Sequence, residues 1–275
     1  MKKRILVFFL FIIASAFLIQ AFAQFTPEEI AQRPQWEEFL QTAKIIDQQQ
    51  LKSREAVTEP WKLTLEKDGI TRFALWKNPE GRQKGYLEGW KWEIAAYRLD
   101  KYLELNMVPP TVERKFQENR GSCQLWVEYE MTLKQKYENN VKVVSYKVFP
   151  FNRATYLHRA FDNLIANEDR HQGNVLITKD WRLILIDHSR SFRTSKKFIK
   201  DLIYTEKHKE GPKEMKELPR AFVEKLKNMD FDMMKEIVGE YLTDEEIEAV
   251  LIRRDLILEW LDKRIKKLGE DQVLY

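Results

Sequence analysis

The sequence predicts an α+β fold of two lobes, with a β-rich first half and a helical second half. Three observations predict it. Trp61 to Lys77 alternates apolar and polar residues around an Asp68-Gly69 turn, the pattern of a β-hairpin. Leu218 to Leu268 keeps helical spacing throughout. Strand and helix patterns are segregated rather than alternating as βαβ units, which argues against a parallel sheet. The chain has 275 residues, 44% hydrophobic and 33% charged, with no internal repeat and no Gly/Ser-rich or Pro-rich linker. That is enough chain for two lobes around a substantial core.

Residues 1–23 read as a signal peptide. Lys2, Lys3 and Arg4 form a basic start, Ile5 to Ile19 an apolar run, and Ala21-Phe22-Ala23 a cleavage signal before Gln24. The run is shorter than the roughly 20 residues that span a bilayer, so no stable transmembrane segment is expected after cleavage. The product is expected to be exported, periplasmic or secreted. Residues 24–52 read as an N-terminal helical extension. Thr26-Pro27-Glu28-Glu29 supplies a cap, a first-turn proline and a capping box. The helix is expected to reach about Gln50, with Ile30, Trp36, Phe39, Leu40 and Ile45 facing a core.

The first lobe is expected over residues 53–130. After the hairpin, Gly81 to Gly85 reads as a loop, Leu87 to Leu103 as a helix, and Thr111 to Phe116 and Cys123 to Tyr129 as strands. The second lobe is expected over residues 131–275. It should hold a helix at Ala154 to Ile165, two short strands at Val175 to Thr178 and Arg182 to Ile186, and the C-terminal helices. A ligand is expected in the cleft between the lobes.

The formal net charge is +4, three units of which lie in the signal, so the remainder is near +1 and mixed in sign. The basic balance therefore gives no case for nucleic-acid binding. Cys123 is the only cysteine, which excludes an internal disulfide. Its apolar neighbours Leu125-Trp126-Val127 point to a core or strand-edge position.

The candidate chemistry lies in Asn167-Glu-Asp-Arg-His-Gln-Gly-Asn174 and in Ile186-Asp187-His188-Ser189. Asp169 and Asn174 are five positions apart, and the predicted strand pair separates Asn174 from Asp187. Singly, each of these residues reads as an ordinary polar loop residue, since Asn and Asp are common in turns. Together they read as a site. Phosphoryl transfer needs positioning and charge neutralisation more than covalent chemistry. An amide oxygen from Asn174 and a carboxylate from Asp187 suit Mg²⁺, which takes oxygen ligands. Asp169 can accept or orient the proton of an acceptor hydroxyl.

These residues resemble the atypical protein-kinase-like superfamily, in which a catalytic Asp, an Asn five residues later and a hairpin lead to a metal-binding Asp. The D-R-H-x-x-N form, within Phe161-Asp-Asn-Leu-Ile-Ala-Asn-Glu-Asp-Arg-His171, is similar to the catalytic loop of the phosphatidylinositol 3-/4-kinase-like branch. It also looks like HipA-type and secretory-pathway kinases. Asp187-His188-Ser189 stands where typical kinases have D-F-G. The resemblance implies a two-lobed kinase-like fold using ATP and Mg²⁺, with Mn²⁺ as an alternative. It implies nucleotide as a partner and an unidentified hydroxyl-bearing acceptor, whether protein, lipid headgroup or small molecule.

By the same resemblance, Lys77 contacts the α/β-phosphates and Glu93 holds Lys77 in place. Trp126 to Tyr129 forms the hinge, with Glu128 and Tyr129 beside adenine, and Thr58 contributes to the phosphate loop. Arg170 and His171 read as loop-orienting residues, with acid–base work open to His171. Arg190 and Arg193 suit either an anionic ligand or a structural role.

The sequence departs from the pattern in two places. Arg54 to Pro60 contains no glycine where a Gly-rich loop would cover the phosphates, and it carries Glu55 and Glu59. The activation segment is short and lacks A-P-E. The glycine-free loop, together with the scarcity of ATP outside the cell, supports a second reading: an exported pseudokinase acting as a binding or scaffold module.

Overall fold

The computed structural model describes residues 25–52, 59–208, 211 and 213–275. Residues 1–23, which the sequence reads as a signal peptide, and Thr58 lie outside these residues. The capping box forms as expected: Thr26 N donates to Glu29 Oε2 at 2.6 Å, and Glu29 N donates to Thr26 Oγ1 at 3.3 Å. It starts α1 (Pro27–Ala31), which gives way at Gln32 to α2 (Arg33–Thr42), with Pro34 in its first turn. The expected continuation to Gln50 does not occur. Ala43 turns to extended backbone, and Lys44–Gln50 forms strand β1. Ile45 and Ile46 are β-branched and favour that conformation, and the polar Gln48-Gln49-Gln50 run suits a strand on the sheet edge.

β1 opens a five-stranded antiparallel sheet in the order β1-β2-β3-β7-β6. Its other members are β2 (Trp61–Lys67), β3 (Ile70–Lys77), β6 (Thr111–Phe116) and β7 (Asn119–Leu125). Asp68 and Gly69 both take positive φ, 52° and 76°, as a two-residue hairpin turn requires. Phe39, Leu40, Leu63, Leu65, Trp76 and Phe116 pack between α2 and the sheet. Cys123 is buried among them, and burial pushes its thiol up to about 12, so it is an inert core residue. At Gly121 a β-carbon would come within 2.7 Å of the Lys77 carbonyl and the Trp76 ring, so β7 can lie against the end of β3 only with glycine there.

Two boundaries move from expectation. The Gly81–Gly85 loop is the tip of a second hairpin, β4 (Glu80–Gln83) with β5 (Tyr86–Gly89), turned by Lys84 and Gly85 at positive φ. Leu87 therefore lies in a strand, and the next helix, α3 (Trp90–Leu103), starts three residues later than its spacing suggested. The strand expected over Cys123 to Tyr129 starts earlier and ends at Leu125.

After the sheet come β8 (Met131–Thr132) and α4 (Leu133–Glu138), followed by α5 (Val148–Leu164). β9 (Val175–Ile177) and β10 (Leu183–Leu185) pair as expected and extend to β8. α6 (Lys196–Lys200), α7 (Arg220–Lys227), α8 (Phe231–Val238) and α9 (Asp244–Leu268) follow. Leu99 and Leu103 of α3 pack into the same core as Phe161, Leu185, Phe222 and Ile257, and α3 also contacts β6 and β7 of the sheet. Among the described residues no helix is long and apolar enough to cross a membrane.

Candidate active site

β3 ends at Lys77, and its pairing with Ser122 on β7 turns the side chain inward, where it is buried. Glu93 lies in the first turn of α3, the favourable end of the helix dipole for a carboxylate. Lys77 Nζ meets Glu93 Oε1 in a buried ion pair and lies 2.8 Å from Asp187 Oδ1. The second Glu93 oxygen accepts a hydrogen bond from the His188 backbone N–H at 3.0 Å. One carboxylate thus ties β3, α3 and the segment after β10 together.

Burial opposes charge on all three groups, and their mutual attraction outweighs it. Lys77 is held above the usual lysine range by Asp187 and Glu93. The Lys77 ammonium holds Glu93 and Asp187 below the usual carboxylate range. Asp187 has a φ of 60°, a left-handed conformation that costs a non-glycine residue about 1–2 kcal/mol. Lys77 and the Ser189 hydroxyl, which donates to Oδ1 at 2.9 Å, hold it there. Its side chain is still 40% exposed. His188 takes the aromatic place after Asp187 and packs edge-on to Phe161 at 6.1 Å between ring centres. Burial and the nearby Arg170 lower its pKa, against the pull of Glu93.

The loop after α5 is built around Arg170. Its guanidinium bonds both oxygens of buried Asp162, at 3.0–3.2 Å. It also donates to the carbonyls of Asn174, at 2.9 Å, and Ile186, at 2.5 Å. Arg170 therefore holds together the two ends of the β9–β10 hairpin that carry Asn174 and Asp187. Asn174 Nδ2 donates to the Asp169 carbonyl at 3.3 Å, which links the remaining pair. The exposed His171 accepts from the Gly173 N–H at 3.1 Å and shapes the same turn. Arg170→Ala strands Asp162 as a buried charge and should cost about 3–5 kcal/mol in chemical denaturation.

Asp169 is half-buried and lies 3.2 Å from Arg190. Burial raises its pKa while Arg190 pulls the other way, and the net shift is upward. That favours a carboxylate able to take a proton. Arg190 also bonds buried Glu88 at 2.5 Å and stacks over Tyr86 at 4.0 Å. Arg193 pairs with Glu168 at 2.7 Å, donates to the Leu87 carbonyl and lies over Trp92. Both arginines, open to two roles by sequence, are engaged by groups of this chain. Glu88 had no sequence signal, because its segment read as the start of a helix.

Lys77, Glu93, Asp169, Asn174 and Asp187 are thus joined by direct bonds and short backbone links. Glu128 and Tyr129 are not part of this network. They are exposed in the segment between β7 and β8 and line a separate cavity of about 940 Å³ with Phe25, Arg33 and Trp36. A cleft of about 1070 Å³ opens beside Asp169 and His171 and is lined further out by Phe198, Tyr204 and Trp260.

No family model matches the chain, and no curated protein matches it by sequence. Solved structures do match. A hydra Fam20 protein solved with sugar aligns over 86% of this chain and 90% of its own, with 15% identity and a TM-score of 0.61. The Golgi casein kinase with Mn and ADP bound aligns over 88% of this chain and 78% of its own, with 15% identity and a TM-score of 0.60. A further Golgi casein kinase structure covers 88% of this chain and 77% of its own, again with 15% identity and a TM-score of 0.60. The fold is kinase-like. The antiparallel sheet lies in its N-terminal part, and the Asp169 loop lies in the helical C-terminal part. A phosphatidylinositol-kinase or HipA character has no support beyond the motif itself.

Proposed function

We propose that the chain is an exported phosphotransferase that uses ATP with Mg²⁺ or Mn²⁺ to phosphorylate a hydroxyl acceptor. The observation that carries this reading is the bonded set of Lys77, Glu93 and Asp187 beside Asp169 and Asn174. The donor set fits a hard divalent ion. Asp187 offers a carboxylate and Asn174 an amide oxygen, the oxygen donors that such an ion takes. Bound there, the ion would neutralise charge on the phosphates. Lys77 would meet the same phosphates, with Glu93 fixing its reach.

Asp169 faces the wide cleft lined by Phe198, Tyr204 and Trp260, from which an acceptor can approach. Its carboxylate would orient the acceptor hydroxyl and take its proton as the oxygen attacks. Arg190 keeps that carboxylate in place through the Glu88 and Tyr86 contacts.

A second reading, an exported pseudokinase scaffold, is favoured by the glycine-free stretch Arg54 to Pro60. Asp169→Asn separates the two. It should lower ATP turnover by about 10²–10⁴-fold while leaving the nucleotide-induced rise in melting temperature intact. Absence of nucleotide-dependent turnover in both wild type and variant, with every acceptor class supplied, would sink the phosphotransferase reading and leave the scaffold.

A further inference from the structure

The 3-10 turn Ser145–Lys147 and the first turn of α5 carry an exposed apolar edge. Val144, Tyr146, Val148 and Phe149 are all exposed, Tyr146 to 79% and Phe149 to 57%. Among the described residues a second exposed group, Phe73, Trp126 and Tyr129, lines a cavity, whereas these four lie within six consecutive residues on an outer edge. Scattered residues of that kind are ordinary, whereas a contiguous patch marks an interaction surface. The edge is not spare core, because the buried stripe of α5 begins only at Phe151.

The charge along this stretch of chain is mainly positive, with Arg153 paired to Glu217 and Lys134 to Glu138 while Lys136, Lys142 and Lys147 have no acid partner within 4 Å among the described residues. Residues 131–153 contain Lys134, Lys136, Lys142, Lys147 and Arg153 against the single acid Glu138. Residues 24–275 are near +1 in total, so the chain outside this stretch is net negative. The cations sit on the aromatics themselves: Lys147 lies over the Tyr146 ring, and Arg153 over the Phe149 ring at 4.1 Å while also bonding Glu217.

Exposed aromatics flanked by lysines match the boundary of an anionic bilayer. Aromatic rings lodge at headgroup depth, and lysine stems lie along apolar surface while their ammonium groups reach phosphate. Four apolar side chains are far fewer than the 20–30 residues a side of a stable protein interface, and they suit shallow insertion into a headgroup layer. We propose that residues 142–149 dock this protein on an anionic lipid surface. α4, whose Lys136 lies over Phe151 of α5, packs on the Gln172–Asn174 turn, so docking there would hold the candidate site close to the membrane. The proposal rests on surface residues alone and does not depend on the phosphotransferase reading.

Residues 24–275 contain every described element and lack the apolar leader, so they are the form to test. Cosedimentation should be measured with vesicles of phosphatidylcholine alone and of phosphatidylcholine mixed equally with phosphatidylglycerol. Binding should be at least about tenfold stronger to the anionic vesicles and should weaken with salt. Tyr146→Ser/Phe149→Ser and Lys142→Glu/Lys147→Glu should each lose about tenfold or more at an unchanged melting temperature. Equal binding to both vesicle types, no binding, or full binding by both variants overturns the proposal. So does a wild-type dimer that the variants dissociate without any vesicle binding, since the patch would then be a protein interface.

Discussion

Lys77→Met is expected to abolish phosphoryl transfer and to lower stability by about 3–5 kcal/mol, the usual cost of leaving a buried partner uncompensated. Glu93 would remain as a buried carboxylate, and Asp187 would keep its left-handed backbone with only Ser189 and the chain to hold it. The double variant Lys77→Met/Glu93→Leu should regain most of that loss, because apolar groups often replace a buried ion pair at little cost. It should stay inactive. A single variant with unchanged unfolding, or a double variant with wild-type turnover, would contradict the site described here.

The same pair sets a pH dependence. Lys77 holds Glu93 and Asp187 below the ordinary carboxylate range in the folded protein. Their stabilisation is therefore complete above the unfolded values, near pH 4–4.5, and is lost as pH falls through the lower folded values. Wild type should lose stability on acidification below that range. The double variant should show a shallower acid limb, readable from denaturant midpoints across pH.

Asp187→Asn is expected to have the second largest effect. The substitution keeps the shape of the side chain but removes the charge that faces Lys77 at 2.8 Å and the carboxylate offered to a divalent ion. Turnover should fall on the order of 10³-fold or more, in line with losing a principal charge-neutralising contact in phosphoryl transfer. Unlike Asp169→Asn, this variant should also lose the metal-dependent part of nucleotide binding. Measuring turnover and nucleotide affinity with and without divalent ion separates the two variants. A variant that binds ATP and metal as wild type does would remove Asp187 from the proposed role.

Much of this was legible in the sequence where local chemistry and tertiary structure agree. The Asp68-Gly69 turn, the helical spacing of α3 and the short strands on either side of Lys179-Asp180 each have one favourable local answer, and the fold adopts it. The convergence of Asn174 and Asp187 was legible because a hairpin of fixed length carries both to one edge. β1 was not legible. Its Gln run has no strong local preference, and pairing with β2 decides it. The β4–β5 hairpin was obscured because Leu87 falls in phase with the apolar stripe of α3. That misreading also hid Glu88, whose partner Arg190 is about a hundred residues away in sequence. Long-range ion pairs of that kind leave no periodic trace.

The central claim is that Lys77, Asn174 and Asp187 form one nucleotide–metal site, and its most direct measurement is the melting temperature of residues 24–275 with ATP and Mg²⁺ or Mn²⁺. A ligand at a hundred times its dissociation constant stabilises the folded state by about 2.7 kcal/mol. The account predicts a clear rise with ATP and metal together, a much smaller one with ATP plus chelator, and none beyond that in Asp187→Asn. No rise with either metal at millimolar nucleotide, or an equal rise in Asp187→Asn, would contradict it.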